Sequence, residues 1–170
     1  AEELRREGAS GPALAALAGL PDNDRLFAQS MAQGRVTLGY FLSNEGRSDP
    51  VEPRAGMAVA GSPPTAVPRF GNAIRPLPEL DAAAGGSGFV SITNDGDGIV
   101  RQIPLLAWHG ESLQPSLTLD ALRQAQHAGA IVVRTSDASG ESSRAPGAAV
   151  SVKVGAFEVP VTASGGLWMP

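Results

Sequence analysis

Three oxygen-bearing side chains, Asn94, Asp95 and Asp97, fall in one short polar run, and Arg101 stands four residues beyond the last of them. Carboxylates crowded in this way serve a hard cation, a general acid and base, or an ion-paired turn. An EF-hand loop starting at Asp95 would need an oxygen ligand at Ile99, a glycine at Val100 and a bidentate glutamate at Leu106, and it has none of them. The side chains of the turn supply about half of the six or more oxygens that such a cation takes. Turn chemistry, with Asp95 or Asp97 paired to Arg101, therefore outweighs a metal site. An acidic hydrolase using Asp95 and Asp97 as a compact carboxylate pair is the enzyme alternative.

Other chemistry-bearing patterns are weaker. The run Gly85, Gly86, Ser87, Gly88 precedes a β-rich segment, whereas phosphate-binding glycines follow a strand and open a helix, and no P-loop lysine follows it. It also fails as a nucleophile elbow, since Phe89 occupies the last glycine position. A helix stop is the better reading. His109 and His127 lack a second ligand or base at catalytic spacing, and His127 suits the C-terminal end of a helix dipole. Trp108 and Trp168 read as core residues closing strands. Arg75, Arg101 and Arg123 lie nearest to ordered elements, where a partly buried fork would suit a carboxylate or phosphate; solvation is each one's default.

The 170 residues that must position these groups make one domain's worth of chain, with 42% hydrophobic and 18% charged residues. A net charge of -4, with Lys153 the only lysine, gives no basic field for nucleic acid. The absence of cysteine removes disulfides, thiol nucleophiles and cysteine-based zinc sites. No apolar run reaches the 18 or so residues of a membrane span, and the opening lacks a signal peptide's features.

Along the chain, residues 12–20 offer a short helix on Leu14, Leu17 and Leu20. Asp22, Asn23 and Asp24 cap a second helix whose face carries Leu26, Phe27 and Met31, and Gly34 stops it. Residues 35–42 read as a strand apolar on both faces, the mark of a sheet covered on both sides. Residues 43–68, rich in proline, read as one long loop. A short helix follows at 78–84. Residues 88–93 and 99–108 then read as the arms of a β-hairpin reversing at 94–98. After a turn at 109–112, residues 115–127 are helical with a stripe of Leu117, Ala121, Leu122 and Ala125. A strand at 131–133, a polar loop at 135–147 and two strands pairing across Gly155 complete the reading. The expected fold is α/β, a mixed sheet with helices packed on it and antiparallel hairpins toward the C-terminal side.

Taken in order, the Asp22-led helix and hydrophobic strand, the string from Gly88-Phe89 through Asp95, Asp97-Gly98, Arg101 and Pro104-Leu105, and the helix start Pro115-Ser116-Leu117 resemble the type-two CHASE domain. The resemblance spans most of residues 20–128, and the 88–105 string is its specific part. The strands closing at Gly165-Gly166-Leu167-Trp168 resemble the family's end. The family's upstream strand, helix and strand have no counterpart here, so the chain is expected to be the C-terminal portion of one extracytoplasmic sensory domain. The resemblance implies a non-catalytic sensor at the periplasmic face of a bacterial inner membrane. It also implies a membrane-anchored parent carrying a cytoplasmic adenylate or guanylate cyclase, a histidine kinase or a Ser/Thr kinase. The expected partners are a small-molecule or ionic ligand and a second copy of the chain, with no nucleic acid and no cofactor. Asp95, Asp97 and Arg101, with the loop 43–68, are the first candidates for ligand contact.

Overall fold

A computed structural model describes residues 20–46, 51–92, 97–139 and 146–169. Its elements run α1 (Asn23–Ala32), β1 (Thr37–Ser43), β2 (Gly56–Ala60), β3 (Arg69–Phe70), β4 (Asn72–Ile74), α2 (Pro78–Ala83), β5 (Gly86–Phe89), β6 (Gln102–Pro104), β7 (Leu106–His109), β8 (Ser112–Pro115), α3 (Leu117–Ala125), β9 (Ala130–Thr135), β10 (Ala149–Val154), β11 (Phe157–Pro160) and β12 (Gly166–Trp168). The fold is α/β, with mixed sheets and antiparallel hairpins β7–β8 and β10–β11 in its C-terminal half. The expected helix over residues 12–20 lies outside the described residues save for Leu20.

Local chemistry accounts for the helix starts. Asp22 Oδ1 accepts from Arg25 N at 3.0 Å to cap α1, and Ser116 Oγ accepts from Leu119 N at 3.3 Å to cap α3. Pro78 opens α2, where its missing N–H is not needed. The inner face of α1 is Ala28 and Met31; Leu26 and Phe27, expected beside Met31, are exposed.

Two sheets carry most of the pairing. In the first, β1 is central, antiparallel to β4 and parallel to β5, with Tyr40 opposite Phe89 and Phe41 opposite Ile74. In the second, ordered β11-β10-β9-β2, the pair β2–β9 is parallel and the rest antiparallel. The segment 43–68, expected to be loop throughout, therefore contains β2. Pro53, Pro63 and Pro64 flank the strand without entering it, so its ladder keeps every donor.

Among the described residues, the arms of the expected hairpin at 88–93 and 99–108 do not pair with each other. β5 is taken by β1, and the other arm breaks after Pro104, where Leu105 N turns to donate to Gly165 O. Its first piece, β6, pairs with β12, and its second, β7, pairs with β8 and β3.

The four residues 86–89 form a fully buried strand, so the glycines do more than stop α2. A Cβ at Gly88 would sit 2.5 Å from Leu117 N and from the Ser116 carbonyl carbon and oxygen, and one at Gly86 would overlap Asp120 Oδ2. The bare strand lets the first turn of α3 rest directly on it. This contact also rotates α3 away from the expected stripe: Leu119 and Asp120 are buried, Leu117 and Leu122 half-buried, and Ala121 and Ala125 exposed.

The larger apolar core gathers Leu106, Trp108, Leu119, Ile131, Val133 and Val152 with their neighbours. A smaller one holds Tyr40, Leu42, Val51, Ala73, Phe89 and Ala107. Trp108 is a core residue, donating Nε1–H to Pro64 O at 2.9 Å, with Arg69 5.0 Å from its ring centroid. Trp168 is not: it stands 64% exposed on β12, a strand that pairs with β6.

Candidate functional site

Residues 90–92, which precede the acidic run, follow the carboxyl end of β5, which lies beside the carboxyl end of β1. There Ser91 Oγ accepts from Leu42 N at 2.6 Å and donates to Leu42 O at 2.8 Å, while Asn44 Oδ1 accepts from Gly71 N at 3.1 Å. Asp95 lies outside the described residues. Asp97 is held in a two-point fork by Arg101, Nη1 to Oδ1 at 3.0 Å and Nη2 to Oδ2 at 2.7 Å, and Oδ1 also accepts from Ile99 N at 3.0 Å. The Arg101 guanidinium, and after it the Ile99 amide, hold the Asp97 carboxyl below the usual carboxylate range. Both side chains remain about half exposed. A carboxylate so ionised and so occupied suits the positioning of a loop better than proton transfer.

Arg101 is also tied to the end of the described chain. Its carbonyl accepts from Met169 N at 2.8 Å, and next to it β6 pairs with β12 through Gln102 opposite Trp168. Backbone hydrogen bonds thus join the Asp97–Arg101 turn directly to the C-terminal strand.

At the carboxyl ends of another parallel pair, β2 and β9, the polar groups satisfy one another. Asp137 accepts from Ser62 Oγ at 2.5 Å, from Ser62 N at 3.2 Å and from Thr135 Oγ1 at 2.9 Å. These bonds, those from Ser62 foremost, hold the Asp137 carboxyl well below the ordinary range. A carboxyl depressed in the folded chain stabilises fully above its unfolded pKa, and this support is lost as pH falls toward the folded value. Asp137→Asn is therefore expected to lower the melting temperature at pH 7 and to reduce the gap from wild type as pH drops from about 5 to 2. Melting curves across that range check it, and a gap that widens on acidification contradicts this role.

A second charged group, not anticipated as a unit, joins the approach to β2, the exit of β4 and α2. Arg54 precedes β2, Arg75 follows β4, and Asp81 lies on α2. Arg75 Nη2 donates to Asp81 Oδ2 at 2.5 Å, and Arg54 Nη2 approaches the same oxygen at 3.8 Å. Arg54 also donates through Nη1 to Ala84 O at 2.9 Å and through Nη2 to Asp81 O. Nearby, the Tyr40 hydroxyl donates to Gln114 Oε1 at 2.9 Å, and Gln114 Nε2 donates to Val51 O and Ser112 Oγ. Burial pushes the Tyr40 phenol up, with the Arg75 charge partly opposing, so it stays protonated.

Arg123 is not solvated as expected: its Nε donates to the fully buried Asp120 Oδ1 at 2.6 Å beneath β5. His127 is exposed just past α3, where its Nε2 meets Arg35 Nη1. Among the described residues, no three His, Cys, Asp or Glu side chains are grouped to hold a metal ion. Nor is any helix among them long and apolar enough to cross a membrane.

No curated protein and no solved structure matches the chain. The family model described as CHASE2 domain matches residues 2–170, well beyond the stretch whose motifs first suggested it. CHASE2 is an extracellular sensory domain family, non-catalytic in itself, and this chain belongs to it.

Proposed function

We propose that the chain is the periplasmic sensing module of a receptor in a bacterial inner membrane. It binds a small-molecule or ionic stimulus, pairs with a second copy of itself, and controls a cytoplasmic adenylate or guanylate cyclase. The family match over residues 2–170 is the observation that carries this reading. The hydrogen bond between Met169 N and Arg101 O supports it, because a shift of the Asp97–Arg101 turn would be passed by backbone contact to the C-terminal strand. Such a sensor biases its output only as far as its ligand prefers one of two states.

The test is expression of the complete gene product in bacteria lacking their own cyclase. Cyclic nucleotide should accumulate, and Arg101→Ala should alter its level without emptying the membrane of receptor. Transfer of phosphate from ATP to protein, without cyclic nucleotide, would move the output to a kinase. Ester or phosphoester hydrolysis by the 170-residue chain, abolished by Asp97→Ala, would replace the sensor with an enzyme. Sedimentation at several concentrations addresses the pairing; a monomer throughout removes that part of the reading.

A further inference from the structure

We propose that a cleft beside β12 binds a neutral saccharide, with the exposed indole of Trp168 as its platform. The proposal names a class of stimulus for the sensor, so its biological use rests on the sensory reading, while the binding itself rests on geometry. The cleft, of about 670 Å³, opens between β12 and residues 160–164 at the end of β11, which is within the size range of small-ligand sites.

The strand register shapes its floor. Trp168 stands opposite Gln102 and Gly166 opposite Pro104, so all four share one face of the β6–β12 ribbon. Gly166 has no side chain, and the row drops from an indole 64% exposed to bare backbone. A Cβ there would lie 3.2 Å from Ile103 O, 3.4 Å from Gln102 Oε1 and 3.5 Å from Thr162 Oγ1, so the glycine keeps a polar floor open. The far wall is fixed before any ligand arrives, because Val161 N donates to Val150 O at 3.0 Å and Ala149 N to Ala163 O at 3.2 Å.

The lining selects the ligand. None of its residues carries a charge, so nothing in the cleft offsets the lost hydration of an ion. Ala66, Pro160 and Val161 supply apolar wall. The Thr162 and Ser164 hydroxyls share a hydrogen bond of 2.9 Å, Ser164 Oγ lies 3.5 Å from Gln102 Oε1, and Gly166 N donates to Thr162 Oγ1 at 3.1 Å. These bonds use only part of what the groups offer: Gln102 Nε2 donates to no described residue, and the serine oxygen keeps a lone pair. Gln102, Ser164 and Gly166 also border an adjoining recess of about 30 Å³, room for one water molecule or one hydroxyl group. A pyranose brings the matching parts, a face of C–H groups for the indole and hydroxyls that donate and accept for the amide, the serine and the recess. An aromatic hydrocarbon would cover the indole and leave the polar groups unserved.

The same placement gives binding a consequence. β12 is joined to residues 160–164 near its start, where Thr162 N donates to Gly166 O at 2.9 Å. A sugar spanning from Trp168 to that segment adds a tie near the strand's end, beside the Met169 N to Arg101 O bond. Occupied and empty states then differ in how firmly the C-terminal strand is held.

The experiment titrates the 170-residue chain with D-glucose, D-galactose, N-acetyl-D-glucosamine and maltose, with glycerol as the control. Trp108 is only 9% exposed, so acrylamide quenching of fluorescence reads Trp168, and calorimetry gives the affinity. At least one sugar is expected to protect Trp168 saturably, and glycerol is not. Trp168→Ala should weaken binding by about tenfold or more, and Gly166→Ala, which raises the floor, by about fivefold.

No saturable protection by any of the four sugars overturns the site, as does unchanged affinity in Trp168→Ala. Should that variant fail to fold, unchanged affinity in Gln102→Ala overturns it equally. Protection that grows with protein concentration in the absence of sugar would assign the face to a second copy of the chain and dismiss the saccharide. A receptor whose cyclic nucleotide output answers a stimulus while no sugar binds would dismiss this site and leave the sensory reading intact. Sugar binding without any receptor output would do the reverse.

Discussion

Gly88→Ala is expected to destabilise the domain by about 3 kcal/mol, at the upper end of what overpacking costs and a large share of a domain's usual stability. The added methyl group would meet Leu117 N and the Ser116 carbonyl at 2.5 Å. All of these are backbone atoms at the capped start of α3, so no side chain can swing away to make room. Relief requires lifting α3 from β5, which exposes Leu119 and opens the buried pair of Asp120 and Arg123 beneath it. Gly71→Ala is the control, since a methyl group there meets nothing within 4 Å. Urea denaturation of the two variants side by side measures the difference. If both unfold at the wild-type midpoint, the direct seating of the helix on a glycine strand is wrong.

What could be read from the sequence, and what could not, follows from how far apart the interacting residues are. The cap at Asp22, the short helix opened by Pro78, and the β10–β11 pair turning at Gly155, whose φ is +56°, were all legible, because each is decided within a few residues. The hairpin expected across the acidic bend failed on a non-local choice. Turn residues show where a chain can reverse, but β5 found its partner in β1, about fifty residues earlier, and β6 found its partner in β12, about sixty later. The stripe on α3 failed because it was drawn on apolar residues, while the position that fits against bare Gly86 holds a carboxylate.

The candidate sites divide in the same way. Asp97 and Arg101 are four residues apart and pair as their spacing suggests. Arg75 stood out only as one arginine among several. Arg54 lay hidden in what reads as a proline-rich loop, and it meets Asp81 only once β2 and α2 are in place. No short-range signal could have joined those two. An arginine between Pro53 and the apolar run of β2 is the nearest thing to one.

Asp120→Ala should be at least as damaging as the glycine change, for the opposite reason: it takes away a charge instead of adding volume. Asp120 is fully buried, and its partner Arg123 is 11% exposed with Nε 2.6 Å away. Removing one member of such a pair strands the other in a low-dielectric setting, which costs about 3 to 5 kcal/mol. Arg123 cannot make up the loss, since Nη1 already donates to Ala128 O at 3.3 Å and Nη2 has no acceptor.

The surroundings are also imperfectly satisfied, with Asp120 Oδ2, Gln124 Nε2 and Ser87 Oγ lacking hydrogen-bond partners. The ion pair therefore carries most of what holds this polar layer together. The double variant Asp120→Leu with Arg123→Met replaces both charges by apolar groups and is expected to recover at least about 1 kcal/mol over Asp120→Ala alone. Chemical denaturation of the single and double variants forms the test. A double variant no more stable than Asp120→Ala would mean that the damage comes from lost shape against Gly86, and a stable Asp120→Ala would mean that the pair contributes nothing to seating α3 on the sheet.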